Sequence, residues 1–349
     1  MKTIRIRIIG AGENTRLKHI PELQKISGIE IISVCNRSEK SSLKVARQFG
    51  IKKVCSNWQE IVEDKDIDAV VIGTWPNMHE IVTSAALMAG KHVLCEARMA
   101  MNASEAEEML RISRCFPHLT AQIVPGPFTF PYDESIINLI KSNKLGDLLA
   151  VNVRFNSQSF ISKNREMTWR ENSDLSGLNT MMMGIVYESI SRWLGHAKTV
   201  KASGKVFSGP KIWDGQIKAV EVPEHLDIIA EMHCGAQANM QFSSISALAE
   251  NHQDIWIFGS EGTIHLDLNK GLLRYGSRDQ KLSKVKLIKS KYSQWRVEEE
   301  FISAIRCVEP VKYTTFEDGF KYMEFTEAVA LSSRNGTCVN LPLKLNVNG

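Results

Sequence analysis

The sequence predicts an α/β protein in two domains. The first is an N-terminal, doubly wound parallel sheet of the Rossmann kind, and the second a C-terminal α+β domain with a large open mixed or antiparallel sheet. Three observations predict this. Residues 4–21 read as strand, tight turn and helix start, with Gly10 and Gly12 in the turn. Up to about residue 122, apolar strand runs alternate with helical patterns, as parallel βαβ units do. Beyond it, strand runs follow one another with few helices between, which marks an antiparallel or mixed sheet. A chain of 349 residues can support two such cores, placed at 1–122 and 123–349.

The first strand alternates Ile and Arg and turns fully apolar before Gly10, as a strand does on entering a buried sheet. Gly10 permits the turn, and Gly12 lets a pyrophosphate approach the free N–H groups of Glu13, Asn14 and Thr15 at the helix start. Thr15 stands where a third glycine is usual, so the helix is expected slightly farther from the strand. The alternative reading is a glycine turn with no ligand. A second strand covers 30–35, a helix 41–49 and another helix 58–62. The run 68–74 is apolar between turn signals, the form of a strand covered on both faces. A helix over 81–89 stops at Gly90, a strand covers 91–95, Asn102 caps a helix over 103–115, and 119–124 closes the series.

After the rigid connector Pro125–Pro131 comes a helix over 133–142. Strands are expected at 149–156, 200–207, 226–233, 238–245, 255–259 and 263–268, with one helix at 177–194 and two more at 293–306 and 316–332.

Composition excludes several classes. The apolar and charged fractions, 43% and 23%, are those of an ordinary globule, and a net charge of +4 without basic–aromatic runs argues against nucleic acid. Seven scattered cysteines, never in C-x-x-C spacing, suit reduced thiols rather than disulfides or a metal site. No leader-like apolar segment precedes Gly10 and no run approaches the ~20 apolar residues of a membrane span, so a cytoplasmic protein is expected.

The end of the second strand bears on cofactor choice. NAD-preferring folds place a carboxylate there for the ribose 2′-OH, whereas this chain has Asn36, then Arg37 and Ser38. A guanidinium beside a hydroxyl suits a 2′-phosphate, so NADP is expected over NAD. The alternative is that Arg37 is a solvated loop residue.

The chain resembles the Gfo/Idh/MocA oxidoreductases, sugar and inositol dehydrogenases with a Rossmann domain and a C-terminal α/β domain. The likeness rests on Gly10-Ala-Gly12 with His19-Ile-Pro21, Thr74-Trp75-Pro76-Asn77 with His79, and residues 89–96 ending in Glu96. It continues in Phe258–Thr263 and Glu317-Asp318-Gly319. The resemblance implies that Thr74–Asn77, His79 and Glu96 line the cofactor side of a cleft, and that Trp169-Arg170 contact a sugar-like or polyol-like substrate. For His79 a capping or core role is the alternative, and for Trp169 a loop anchor.

The family's catalytic residues are where this chain departs. Its Glu-Lys-Pro triplet reads Glu96-Ala97-Arg98, and the Asp, His and Asp of its helix align with Met182, Val186 and Ser189. Alcohol oxidation needs a base for the hydroxyl proton, and these residues offer none. Arg98, Tyr187 and Glu188 are the remaining catalytic candidates, although Arg98 stays charged and helical spacing turns Tyr187 and Glu188 off the substrate face. Asn179, three residues before Met182, is expected on that face with Met182 and Val186. Two functions follow: an NAD(P)-dependent enzyme with rearranged acid–base groups, or a dinucleotide-binding protein without catalysis. A homodimer or homotetramer through the C-terminal sheet is expected, since an open sheet covered on one side leaves a broad surface to bury.

Overall fold

The structure is a computed structural model that describes residues 3–162, 164–250 and 252–344. The chain divides into two compact units, Met1–Pro125 with Arg296–Phe320, and Gly126–Trp295 with Lys321–Gly349. Residues 296–320, placed by the sequence reading with the second domain, therefore pack with the first. A backbone bridge between Gln122 and Thr315 and the Gln122 amide on the Glu300 carboxylate (3.2 Å) hold them there.

The first unit carries six parallel strands: β1 (Ile4–Ile9), β2 (Ile29–Cys35), β3 (Lys53–Val54), β4 (Ala69–Ile72), β5 (His92–Cys95) and β6 (Ala121–Ile123). They lie in the order β3-β2-β1-β4-β5-β6. The order reverses beside β1, the switch point at which open α/β sheets bind ligands at their carboxyl edge. β4 is buried along its whole length, as its unbroken apolar run requires. The helices are α1 (Ile20–Lys25), α2 (Glu39–Phe49), α3 (Gln59–Glu63), α4 (His79–Met88) and α5 (Ala103–Cys115). Asn102 caps α5 by accepting from the Glu105 N–H at 2.8 Å.

The helix after the glycine turn begins at Glu13, passes through a π-helical segment over Thr15–His19 and continues as α1. Pro21 supplies the physical reason: it has no N–H and its ring crowds the preceding turn, so the ladder widens just before it. Thr15 keeps its place because the strand side yields. A Cβ at Gly73, just after β4, would lie 2.1 Å from Thr15 Oγ1 and 2.3 Å from the Gly10 carbonyl. Close packing at this turn thus depends on Gly73.

The second unit is built on nine strands: β7 (Leu148–Asn156), β8 (Ala197–Lys205), β11 (His225–Met232), β12 (Gln237–Ser243), β13 (Gln253–Gly259), β14 (Gly262–Asp267), β15 (Leu272–Ser277), β16 (Ser283–Lys284) and β17 (Val339–Asn340). β9 (Lys211–Trp213) and β10 (Gln216–Lys218) form a separate hairpin. The order is β16-β15-β14-β13-β7-β12-β11-β8-β17, mixed because β7 and β12 are parallel while the other neighbours are antiparallel. Alternate residues of β11 are buried and exposed, so one face is covered and the other open. β15, unnamed in the sequence reading, carries the sheet beyond β14.

The helices here are α6 (Phe130–Lys141), α7 (Ser173–Ser176) and α8 (Met183–Leu194), followed by α9 (Val297–Ile305) in the first unit and then α10 (Phe316–Asn335). The helix expected over 177–194 begins only at Met183. Gly177 and Met181 hold positive φ values of 62° and 47°, which interrupt a right-handed helix. The 293–306 helix likewise starts late, after a short 3₁₀ turn over Lys291–Ser293. No helix among the described residues is long and apolar enough to cross a membrane.

Candidate functional site

At the carboxyl edge of the parallel sheet β1 runs into the glycine turn. Gly10 has φ +82°, and a Cβ there would sit 2.6 Å from the Thr74 backbone nitrogen, so both conformation and space demand glycine. Gly12 and Glu13 are exposed, Asn14 is half-buried and Thr15 is buried. N–H groups in a first helical turn have no intrahelical acceptor, so this exposed turn is a cradle for an anion. These residues fit a dinucleotide pyrophosphate.

The loop is braced from β2. Asn36 Oδ1 accepts from the Ala11 N–H at 2.6 Å, while the Asn36 N–H donates to Ser42 Oγ at 2.8 Å. The Asn36 amide nitrogen takes no part in that brace, so the position offers donors where a carboxylate would offer negative charge. Arg37 is exposed and holds its guanidinium 5.0 Å from the centre of the Trp75 ring. Ser38 is exposed and caps α2, accepting from the Ser41 N–H at 3.3 Å.

The segment after β4 divides into lining and support. Thr74 and Trp75 are half-buried, Asn77 is exposed and Pro76 is buried. His79 is fully buried, and its ring nitrogens lie 2.8 Å from the Arg98 carbonyl and 3.1 Å from the Thr74 carbonyl. Burial outweighs these contacts and pushes its pKa down. It therefore ties the end of β4 to the end of β5 and exposes no ring edge, the core role left open by its residue type. Arg98 is itself buried, with its backbone serving that tie.

Glu96, just after β5, belongs to a buried charge cluster that the sequence reading did not assemble. His19 is fully buried in the π-helical segment. Its Nε2 bonds Glu96 Oε1 at 2.9 Å and its Nδ1 bonds Glu298 Oε1. Asn14 Nδ2 donates to the same Glu96 oxygen at 2.5 Å, and Glu96 Oε2 accepts from the Ala97 N–H at 3.2 Å. Burial disfavours the imidazolium, but two carboxylates outweigh it and push His19 up to about 10. Burial likewise opposes ionisation of Glu96, and His19 more than offsets that, holding the carboxyl below its ordinary range. His19 had a signal in the His19-Ile-Pro21 triplet. Glu298 had none, being 279 residues away.

The second unit holds the other expected residues. Trp169 is half-buried and Arg170 exposed, its guanidinium 4.3 Å from the Trp169 ring centre. Their loop is pinned by Glu171, which accepts from Arg165 (2.6 and 2.7 Å), Thr168 N (2.9 Å) and Lys211 (2.5 Å). Burial opposes its charge, yet these partners bring Glu171 down to about 2.

Three expectations on the α8 side are corrected. Asn179 does not share a helix face with Met182 and Val186, because it precedes the start of α8; it is buried and donates to the Ser176 carbonyl at 2.7 Å. Tyr187 is a core residue. It stacks on Phe325 at 3.7 Å, its hydroxyl accepts from the Ala197 N–H at 2.9 Å, and burial raises its pKa. Glu188 is buried against Arg192 at 2.5 and 2.8 Å, and Arg192 also reaches Asp133 at 3.0 Å. Val186 is buried and Met182 half-buried.

Residues 4–115 match the sequence model of an oxidoreductase family with an NAD-binding Rossmann fold, and residues 135–265 match the GFO/IDH/MocA C-terminal domain. The chain belongs to the Gfo/Idh/MocA oxidoreductase family. Among its relatives, trans-1,2-dihydrobenzene-1,2-diol dehydrogenase of Sus scrofa is 27% identical over 197 residues, covering 56% of each chain. The 1,5-anhydro-D-fructose reductase of Ensifer adhaerens is 36% identical over 107 residues, covering 31% of this chain and 32% of that one. The chain spans about half the length of the first curated relatives it matches. Among solved structures, levoglucosan dehydrogenase in complex with NADH and L-sorbose has a TM-score of 0.84 at 18% identity, covering 98% of this chain and 100% of that chain. An NAD binding oxidoreductase from Klebsiella pneumoniae has a TM-score of 0.83 at 18% identity, covering 97% and 98%. At these identities the likeness is one of fold. Ala97, Met182 and Val186, the positions that the resemblance aligned with the family's Lys, Asp and His, carry no ionisable side chain.

Proposed function

We propose that the protein is an NADP-preferring oxidoreductase that transfers a hydride to or from a cyclic, sugar-like or polyol-like small molecule. One observation carries the reading: the exposed first helical turn at Gly12 and Glu13, framed by Asn36 and Arg37 on one side and Glu96 on the other. A bound nicotinamide supplies the hydride acceptor or donor. The chain's own work is to hold the pyrophosphate on the first-turn N–H groups and to place Arg37, Ser38 and the Asn36 amide beside the adenosine ribose, where no carboxylate repels a 2′-phosphate. The relatives named for a trans-diol and for an anhydro sugar support a substrate of vicinal hydroxyls on a ring. Trp169 with Arg170 suits a sugar face and a polar substituent.

Proton transfer is where this chain differs. Arg98 steadies a developing oxyanion but releases no proton, and Tyr187 and Glu188 are engaged in the core. The reading therefore includes slow turnover on ordinary hexoses and inositols, with a more acidic or already oxidised substrate preferred. That engagement also supports a second reading, a dinucleotide-binding member of the family without catalysis. Fluorescence titration with NADPH and NADH, followed by turnover on a panel of cyclic polyols and their ketones, separates the two. Binding with turnover supports the enzyme, binding without turnover on any of them the second reading. Neither cofactor binding to the folded protein refutes both, and Gly12→Val is the matched control for loss at the loop. We also propose self-assembly through the open face of the nine-stranded sheet.

A further inference from the structure

The cluster around His19 joins three parts of the first unit that the sequence keeps far apart. Asn14 and His19 come from the helix after the glycine turn, Glu96 from the end of β5, and Glu298 from α9. Two carboxylates and one imidazolium leave a net charge of −1, and Glu298 and His19 are both buried while Glu96 is partly exposed. A carboxylate accepts at about four lone-pair sites. Three on Glu96 are taken, by His19, Asn14 and the Ala97 N–H, so one remains for a donor from outside the protein. The π-helical widening over Thr15–His19 lies in the same stretch as the imidazole.

We propose that His19 is a positioning residue: clamped as a cation between Glu298 and Glu96, it fixes the Glu96 carboxylate at the carboxyl edge of the sheet as an acceptor for a hydroxyl or amide N–H of the bound dinucleotide. This rests on the dinucleotide reading above. An ionised carboxylate accepts only, so it selects a donor group such as a ribose hydroxyl or a carboxamide. Of the groups that hold Glu96 ionised, His19 acts most strongly, both through its hydrogen bond and through its charge. The charged groups facing His19 are Glu96 and Glu298; His79 also acts on Glu96, and burial disfavours its charged form.

Two measurements test this. Imidazole ¹⁵N NMR of the whole protein reads the clamp without any ligand: the His19 ring is expected to stay doubly protonated from about pH 6 to about pH 9, and a ring titrating near 6.5 overturns the clamp. NADPH titration reads the consequence. Glu96→Gln and His19→Gln each weaken binding about tenfold, and the double variant loses little more than either. His19→Gln also acquires a pH-dependent affinity between about pH 5 and about pH 8, because burial then favours the protonated form of Glu96 with no imidazolium to oppose it. Glu298→Gln keeps the shape and still lowers the His19 titration, which covers a His19→Gln variant that fails to fold. Wild-type affinity with an unchanged pH profile in His19→Gln overturns the inference. A folded wild type that binds neither cofactor overturns the dinucleotide reading and the ligand role of Glu96 with it, while the NMR result still decides the clamp.

Discussion

At the scale of single residues, the proposed preference for NADP rests on Arg37. Its guanidinium rests over Trp75 in an exposed position, where it can meet a phosphate without a large desolvation cost, and Asn36 beside it offers amide donors. Arg37→Ala is expected to weaken NADPH binding about tenfold and NADH binding by less than about twofold. Parallel fluorescence titrations check this, and equal losses for both cofactors would assign Arg37 to general loop order. At Gly73 the issue is space. The added methyl of Gly73→Ala meets both Thr15 Oγ1 and the Gly10 carbonyl. The expected cost is about 1–3 kcal/mol of stability, read from urea unfolding. Thr15→Ala in the same chain should recover only part of it, since the Gly10 carbonyl remains.

Among the elements, α8 carries the clearest departure from its expected role. Its Tyr187 and Glu188 were candidates for proton transfer, yet the helix uses both to fasten itself. Tyr187 binds the start of β8 and stacks on α10, while Glu188 bonds Arg192 and the Gly126 N–H at the head of α6. Glu188→Ala leaves Arg192 with one buried carboxylate fewer, and breaking such a pair costs about 3–5 kcal/mol. Urea unfolding should show that loss, with NADPH affinity in the remaining folded protein unchanged. A variant as stable as wild type that loses only turnover would return Glu188 to the list of catalytic residues.

For the molecule as a whole, pH and assembly are the informative variables. His19 is raised from 6.5 to about 10, so its contribution to stability is full below pH 6.5, declines as pH rises and is lost above about 10. Glu96 is depressed, so its contribution is present above its unfolded value of 4.5 and is lost as pH falls through the folded one. Stability from this cluster therefore peaks between those limits. Unfolding free energies measured across that range should fall on the alkaline side for wild type and stay flatter for His19→Gln. The open face of the large sheet exposes Arg154, Asp227, Asn239 and the aromatic rings of Trp256 and Phe258 around a recess of about 510 Å³. Charges of both signs beside stacked aromatics suit a self-complementary surface. Light scattering is expected to give a dimer or tetramer, and Trp256→Lys to shift it toward monomer; a wild-type monomer at micromolar concentration would rule the assembly out.

Local signals carried most of the fold. The alternation of Ile and Arg into Gly10, the unbroken apolar run of β4 and the Asn102 cap each act over a few residues, so the sequence alone determined the parallel sheet and its glycine turn. Strand runs between turn signals did the same for β7, β11 and β12, whose burial alternates along the strand. Backbone reversals were less legible: a positive φ at Met181, a non-glycine residue, delays to Met183 the helix that the side-chain pattern starts at Gly177. Side-chain commitments between distant elements were not legible. Whether Tyr187 and Glu188 faced solvent or the core depended on Ala197, Phe325 and Gly126, none of which their own periodicity could reveal. His19 needed Glu298, 279 residues away, to become a cation. Charge state and burial depend on which distant groups meet, and only the tertiary structure decided that.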